Sequence, residues 1–193
     1  MAARETMADL IGRLRALIGD PAGDDAQFSD DELQEFLDVR GTEYRYLELT
    51  PVATVSPDGS VTHLEYAAAL RREWRDGVGL CHTLGDWEDG VKLYGPDHAE
   101  VEPQTSDLVR GRWTFASHQP AQVRLVGWTY DLYAAGADAL EAWATRVKAA
   151  YDVRTGDQSL ARGTQFVHIM AAATALRRRA RLGAGRIERS DVC

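Results

Sequence analysis

The chain has 193 residues, of which 45% are hydrophobic and 27% charged, and its formal net charge is −8 at pH 7. This composition is ordinary for a folded globular protein and excludes a chain that is disordered throughout. The acidic balance argues against nucleic-acid binding over the whole surface, because such binding needs positive charge to displace counterions. No run of about eighteen apolar residues and no signal-peptide pattern are present, so we expect neither membrane association nor secretion.

The first predicted element is a helix over residues 5–18. Its apolar residues recur at helical spacing, with Arg13 and Arg15 expected on the opposite side. Gly19, Asp20 and Pro21 are expected to end this helix. The acidic loop that follows lacks the ligand pattern of an EF-hand, so it is predicted to be a solvated turn.

A second helix is predicted over residues 30–39. Ser29 and Glu32 have the spacing of a capping box, in which each side chain satisfies a backbone amide of the other residue. The acidic residues of the first turn complement the helix dipole, so their role is predicted to be structural. Gly41 is placed to end the helix.

Residues 44–126 are predicted to form a β-rich insertion, because β-branched and aromatic residues alternate there with turn residues. Residues 67–74 could be a short helix or irregular, and residues 76–89 carry no readable pattern. The predicted strands cover residues 44–49, 52–55, 61–66, 91–94, 99–102, 112–116 and 122–126.

Two long helices are predicted after the insertion, over residues 128–151 and 159–182. The first is rich in alanine, so another helix can approach it closely. Its larger residues are predicted to pack between subunits: Tyr133, Leu140, Trp143 and Val147. Residues 183–193 show no core-forming pattern and are predicted to be a tail that a partner orders.

The sequence predicts no active site, no metal site and no cofactor. The five histidines are scattered, and the adjacent Cys81 and His82 have no third residue to orient a base. Cys81 and Cys193 make no disulfide framework and are expected to be reduced. A catalytic pocket would require distant residues such as His63, His98 and Asp107 to converge.

An arginine cluster ends the last predicted helix and has two interpretations. It is either a solvated helix end that the helix dipole favours, or a charged patch that docks an acidic partner. In the second interpretation, the docking residues are Arg177, Arg178, Arg179, Arg181, Arg186 and Ile187.

Several segments together resemble the head-to-tail adaptors of tailed phages, also called head completion or connector proteins. The residues that carry this resemblance are FSDDELQEFLD at 28–38, GRWTF at 111–115, VGWTYDLYAAGADALEAWA at 126–144, YDVRTGDQSLARGTQ at 151–165, and the final RRRAR at 177–181. These motifs concern packing rather than catalysis. The long β-rich insertion departs from the usual small adaptor.

The resemblance implies an α+β protein that is mainly helical, with a four-helix bundle-like core and a β-rich insertion between the second and third helices. The core would comprise residues 1–43 and 127–182, the insertion residues 44–126, and the tail residues 183–193. Copies would form a ring, expected to have twelve members, beneath the portal. The ring would contact the portal protein and a stopper or tail-completion protein, and DNA would pass through its channel.

The resemblance therefore implies a non-enzymatic structural protein of the virion, made in the host cytoplasm. The acidic balance fits a channel wall along which DNA slides without sticking. An alternative function is an interaction module, in which the β-rich insertion binds a peptide or another ligand and the helices serve as a scaffold.

Overall fold

The computed structural model describes residues 3–55, 58–75, 78–120, 122–151 and 159–181, with the backbone alone for residues 70–83, 149–151 and 159–163 within those ranges. Chain contacts divide the protein into two compact units, Met1–Leu132 and Tyr133–Cys193. The predicted domain boundaries at residues 43, 126 and 182 stay a prediction.

The prediction of a mainly helical protein with a four-helix bundle-like core is wrong. The described residues form four helices and two antiparallel sheets with seven strands, 37% helix and 27% strand, which is a mixed α+β structure. A further strand pair forms a separate two-stranded ribbon. The prediction failed because it confined the strands to an insertion at 44–126, whereas strand pairing joins Gly41 to Tyr130, and Ala69–Arg75 and Val78–Thr83 form two strands that were not predicted.

Helices α1 (Ala8–Ile18) and α2 (Asp30–Val39) confirm the first two predicted helices. Helix α1 ends at Gly19, which adopts the left-handed conformation with φ 71°. The predicted capping box at α2 is present, with both Ser29 and Glu32 engaged. The expected role of Gly41 is wrong, because this residue begins the next strand instead of ending the helix.

The predicted polar face of α1 is wrong at Arg15, because this residue is buried rather than solvated. Its guanidinium contacts Asp20 at 2.7 Å, the Phe28 carbonyl at 2.7 Å and Asp30 at 2.8 Å. Asp20 is itself only 2% exposed and also accepts a hydrogen bond from the Gln27 N–H. The loop predicted to be a solvated turn is thus held by a buried ion pair.

The strands of the first unit form two antiparallel sheets and the ribbon. The orders are β1-β9-β6, β2-β3-β8-β7 and, for the ribbon, β4-β5. The strands are β1 (Gly41–Glu48), β2 (Thr50–Val55), β3 (Val61–Ala67), β4 (Ala69–Arg75), β5 (Val78–Thr83), β6 (Lys92–Tyr94), β7 (Thr105–Asp107), β8 (Arg112–Thr114) and β9 (Arg124–Tyr130).

Strands β2 and β3 confirm the predicted strands at 52–55 and 61–66, and the two strands pair antiparallel. Residues 67–74, predicted to be helical or irregular, instead contribute strand β4. Strand β9 continues to Tyr130 and pairs with β1, so the predicted helix from Trp128 starts only at Leu132. The residues Trp128, Thr129 and Tyr130 favour strands. The Trp128 carbonyl accepts from the Glu88 N–H at 2.9 Å, and the Tyr130 N–H donates to the Asp86 carbonyl at 3.0 Å.

Aromatic residues fill the core between the strands. Trp87 and Trp113 are 2% and 1% exposed, and their ring centroids lie 6.0 Å apart in an edge-to-face arrangement. The Trp87 indole N–H donates to the Leu84 carbonyl at 2.8 Å. Leu125, Tyr66 and Phe115 belong to the same cluster of buried residues. The insertion therefore has a hydrophobic core of its own, in which two of the tryptophans are fully packed.

The second unit contains most of α3 (Leu132–Tyr151) and all of α4 (Ser159–Arg177). Helix α4 is shorter than predicted, because residues 178–180 form a turn. Small residues dominate the buried positions of both helices, as the alanine-rich pattern predicts. They are Ala134, Ala135, Ala137, Ala139, Ala144 and Ala173.

Candidate functional site

The strongest candidate site is a cleft of about 460 Å³ in the first unit. It lies where the end of β9, the end of α2 and the N-terminal segment meet the loop before β6. Its lining combines one arginine and three carboxylates with aromatic residues and a glycine-containing turn. The lining residues are Arg4, Asp38, Glu88, Asp89, Gly90, Val91, Gly127, Trp128 and Tyr130.

Arg4 is the centre of a hydrogen-bonded network in this cleft. Its guanidinium donates to both oxygens of Asp38, from Nη1 at 3.2 Å and from Nη2 at 2.7 Å. Arg4 Nε also donates to Glu88 Oε1 at 3.2 Å, and Nη2 donates to the Tyr130 hydroxyl at 3.2 Å. Because a bidentate arginine–carboxylate pair has a defined orientation, this network fixes the geometry of the cleft wall.

Glu88 receives further donors that hold its carboxylate in place. Thr6 Oγ1 donates to Oε1 at 2.6 Å, and the Tyr130 hydroxyl donates to Oε2 at 2.5 Å. Burial raises the pKa of Tyr130, and the hydrogen bond to Glu88 raises it further. The hydrogen bond to Asp38 raises the pKa of Arg4. Tyr130 is therefore a neutral donor and Arg4 a permanent cation at neutral pH.

Trp128 lies at the exposed side of the same cleft. Its side chain is 44% exposed, whereas its backbone carbonyl accepts a hydrogen bond from the Glu88 N–H at 2.9 Å. In the β1–β9 pairing it stands opposite Glu43. Sequence analysis missed this site because it assigned Trp128 and Tyr130 to a helix. The strand-forming run from Arg124 to Tyr130 was the signal that could have placed them on a sheet.

A second feature that the sequence did not predict is a pair of histidines. His63 and His118 stack with ring centroids 5.5 Å apart, and the His63 backbone N–H donates to His118 Nδ1 at 3.0 Å. His63 Nδ1 is buried and has no hydrogen-bond partner among the described residues. Within the described part of the chain, no group of three or more potential metal ligands occurs.

The residues named for a catalytic pocket have different neighbours. His63 packs on His118, His98 packs edge-to-face on Tyr46, and Asp107 pairs with Arg110. Cys81 and His82 lie in β5, where only the backbone is described, and Cys193 lies outside the described residues. The structure therefore gives these residues no common site.

The predicted docking arginines fall into three groups. Arg177 contacts Asp138 at 2.6 Å and Glu141 at 2.8 Å, so its charge is engaged within the second unit. Arg178 and Arg179 are exposed in the turn after α4, and Arg181 is half-buried. Arg186, Ile187 and the rest of the predicted tail lie outside the described residues.

The residues assigned to subunit packing differ in burial. Leu140 is 4% exposed and therefore belongs to the interior of the chain. Tyr133, Trp143 and Val147 are half-buried, which leaves part of each side chain accessible. Elsewhere in the second unit, Lys148 lies over the Phe166 ring at 5.9 Å.

Comparisons with protein-family models, curated proteins and solved structures found no match for this chain. Among the described residues, no helix is both long enough and apolar enough to cross a membrane.

Proposed function

We propose that the protein is a head-to-tail adaptor of a tailed phage, a virion structural protein that forms a ring beneath the portal. The ring connects the capsid to the tail or stopper and continues the DNA channel. The sequence motifs at 28–38, 111–115, 126–144 and 151–165 support this proposal through their resemblance to that family. The protein acts by assembly rather than catalysis and uses no cofactor.

The structural observation that most supports this proposal is an apolar face of α4 that is exposed to solvent. Val167 is 61% exposed, and Ala171 and Ala175, at successive four-residue intervals, are exposed on the same side. A helix surface of small apolar residues allows close approach of another helix. In the proposed ring, this face contacts a neighbouring copy.

The proposed contact with the portal uses the basic end of α4. Arg178 and Arg179 are exposed in the turn after α4, whereas Arg177, which is also exposed, ties α4 to α3 through Asp138 and Glu141. Variants of these arginines should therefore have different effects. Arg178→Gln with Arg179→Gln should weaken portal binding without lowering the melting temperature, and Arg177→Gln should lower the melting temperature.

Native mass spectrometry of the purified chain, alone and with the portal protein encoded in the same genome, tests the proposal. We expect a closed oligomer and a complex with the portal. Ala171→Glu should abolish the oligomer because it places a charge on the apolar face. Ala16→Glu, at an exposed position of α1, is the matched control and should leave assembly intact. A chain that stays monomeric and ignores the portal would refute the proposal.

A second candidate function is an interaction module whose first unit binds a ligand in the Trp128 cleft. The specific observation that favours it is a tryptophan exposed beside a preformed network of charged side chains. Exposed aromatic residues with fixed polar neighbours are typical of binding hot spots. Loss of binding in a Trp128 variant with unchanged oligomer assembly would separate this function from the first.

A further inference from the structure

The cleft carries a net negative charge, because its one arginine does not neutralise all of its carboxylates. Three of the lining residues are acidic, Asp38, Glu88 and Asp89, and Arg4 is the one basic residue, which leaves a formal charge of −2. Arg4 pairs with Asp38 and Glu88, and Asp89 is not among its ion-pair partners. Asp89 is exposed and accepts a hydrogen bond from the Gly90 N–H at 2.9 Å. The electrostatic complement of this cleft is a cation.

Trp128 indicates which kind of cation the cleft would bind. Of the tryptophans with described side chains in the first unit, Trp87 and Trp113 are at most 2% exposed, whereas Trp128 is 44% exposed. Leaving an indole in water forgoes the free energy of burying it, so the core gives no reason for this position. An indole face beside carboxylates attracts a cation both through its quadrupole and through the nearby charges.

The guanidinium group fits this arrangement better than an ammonium group. It is planar and weakly hydrated, stacks on aromatic faces, and directs its donors in a fork toward carboxylates. Arg4 already shows the forked donation in the same cleft, because it binds Asp38 through both terminal nitrogens. An incoming guanidinium could therefore stack on Trp128 and donate to Asp89.

We infer that the Trp128 cleft is a recognition site for the arginine side chain of a segment of a partner protein. The inference rests on the second candidate function and specifies its ligand. It is independent of the ring, because every residue of the cleft belongs to the first unit. The cavity of about 460 Å³ is large enough for one such side chain with part of its backbone.

The test is an NMR titration of the full-length chain with capped amino acids, followed at the indole N–H of Trp128. N-acetyl-arginine amide is the probe, N-acetyl-citrulline amide is its neutral isostere, and N-acetyl-lysine amide is the alternative cation. We expect saturable shifts with arginine, with an affinity about tenfold higher than for citrulline, since the charge supplies most of the attraction. Raising the salt concentration should weaken arginine binding.

Variants test whether the indole itself is responsible. Binding in Trp128→Leu and Trp128→Phe is measured by calorimetry, with a pentapeptide carrying a central arginine. Trp128→Leu should lose binding, and Trp128→Phe should retain part of it because phenylalanine is a weaker cation–π partner. Asp89→Asn should weaken binding without altering the Arg4 network. Circular dichroism verifies that each variant is folded.

Several outcomes would overturn the inference. Equal binding of citrulline and arginine would remove the role of charge, and unchanged binding in Trp128→Leu would remove the role of the indole. Tighter binding of lysine would reject the guanidinium assignment while leaving the cleft a ligand site, which separates this inference from the second candidate function. If spermidine binds more tightly than the arginine pentapeptide, the ligand of the cleft is a small soluble cation and not a segment of a partner protein.

Discussion

Replacing Arg15 by methionine tests the buried ion pair that holds the loop between α1 and α2. The Arg15 side chain is 10% exposed and that of Asp20 is fully buried, whereas that of Asp30 is 62% exposed. When Arg15 is removed, water can solvate Asp30. Asp20 is left with the Gln27 N–H as a donor but without its cation.

The expected loss of stability follows from the different exposure of the Asp20 and Asp30 carboxylates. Removing one partner of a buried ion pair typically costs about 3–5 kcal/mol, because the remaining charge is uncompensated. Arg15→Met also removes a donor from the Phe28 carbonyl. We therefore expect the free energy of unfolding to fall by about 3–5 kcal/mol, measured from urea-induced unfolding with tryptophan fluorescence.

A double-mutant cycle separates the buried charge from lost packing. In an Asp20→Asn background the side chain at position 20 is a neutral amide. Adding Arg15→Met there should therefore lower the free energy of unfolding by about 1–3 kcal/mol less than it does in the native chain. Arg110→Met is the exposed control, since Arg110 is 77% exposed and lies 3.7 Å from Asp107. It should leave the urea midpoint unchanged. A loss below about 1 kcal/mol for Arg15→Met, or strict additivity, would refute the reasoning.

Three further predictions concern other parts of the chain. Because the pKa of Tyr130 is raised above its ordinary value of 10.0, its contribution to stability is full below pH 10 and is lost as the pH rises through the folded-state pKa. Between pH 10 and the folded-state pKa, the urea midpoint of the native chain should therefore fall more steeply than that of Tyr130→Phe, and parallel curves would contradict this. Gly111→Ala should destabilise by at least about 2 kcal/mol more than Gly59→Ala. Both glycines have positive φ, but only at Gly111 would the new Cβ lie 1.9 Å from a backbone oxygen, that of Leu84. Chemical denaturation that shows equal losses would reject this clash. Arg177→Gln should cost about 0.5 kcal/mol after allowance for solvent screening, and Arg178→Gln should leave the thermal melt unchanged.

Local signals in the sequence were sufficient for the helices of the first unit. The capping box at Ser29 and Glu32 and the left-handed Gly19 act within a few residues, so sequence alone locates the end of α1 and the start of α2. The β2–β3 hairpin was predictable for the same reason, because its strands are close in sequence. A single sequence can predict those helices and strands whose contacting residues are close in the sequence.

Elements with distant partners were not predictable in this way. Strand β9 ends at Tyr130 because it pairs with Gly41, a partner far away in the sequence. Arg15 likewise looked solvated by periodicity, since only the fold brings Asp20 and the Phe28 carbonyl to it. Tertiary contacts overrode the local pattern at each of these positions.

The Trp128 cleft also depends on contacts between residues that are distant in the sequence. Arg4, Glu88 and Tyr130 come from distant parts of the chain, so no motif could join them. Once the fold has joined them, the hydrogen bonds among them hold the cleft wall before any ligand arrives. A ligand therefore does not have to order Arg4 or Glu88, which reduces the entropic cost of binding. Trp128 has its backbone fixed by the Glu88 N–H while its indole remains accessible. A rigid backbone that presents an exposed aromatic side chain is the arrangement that selective binding of a cation requires.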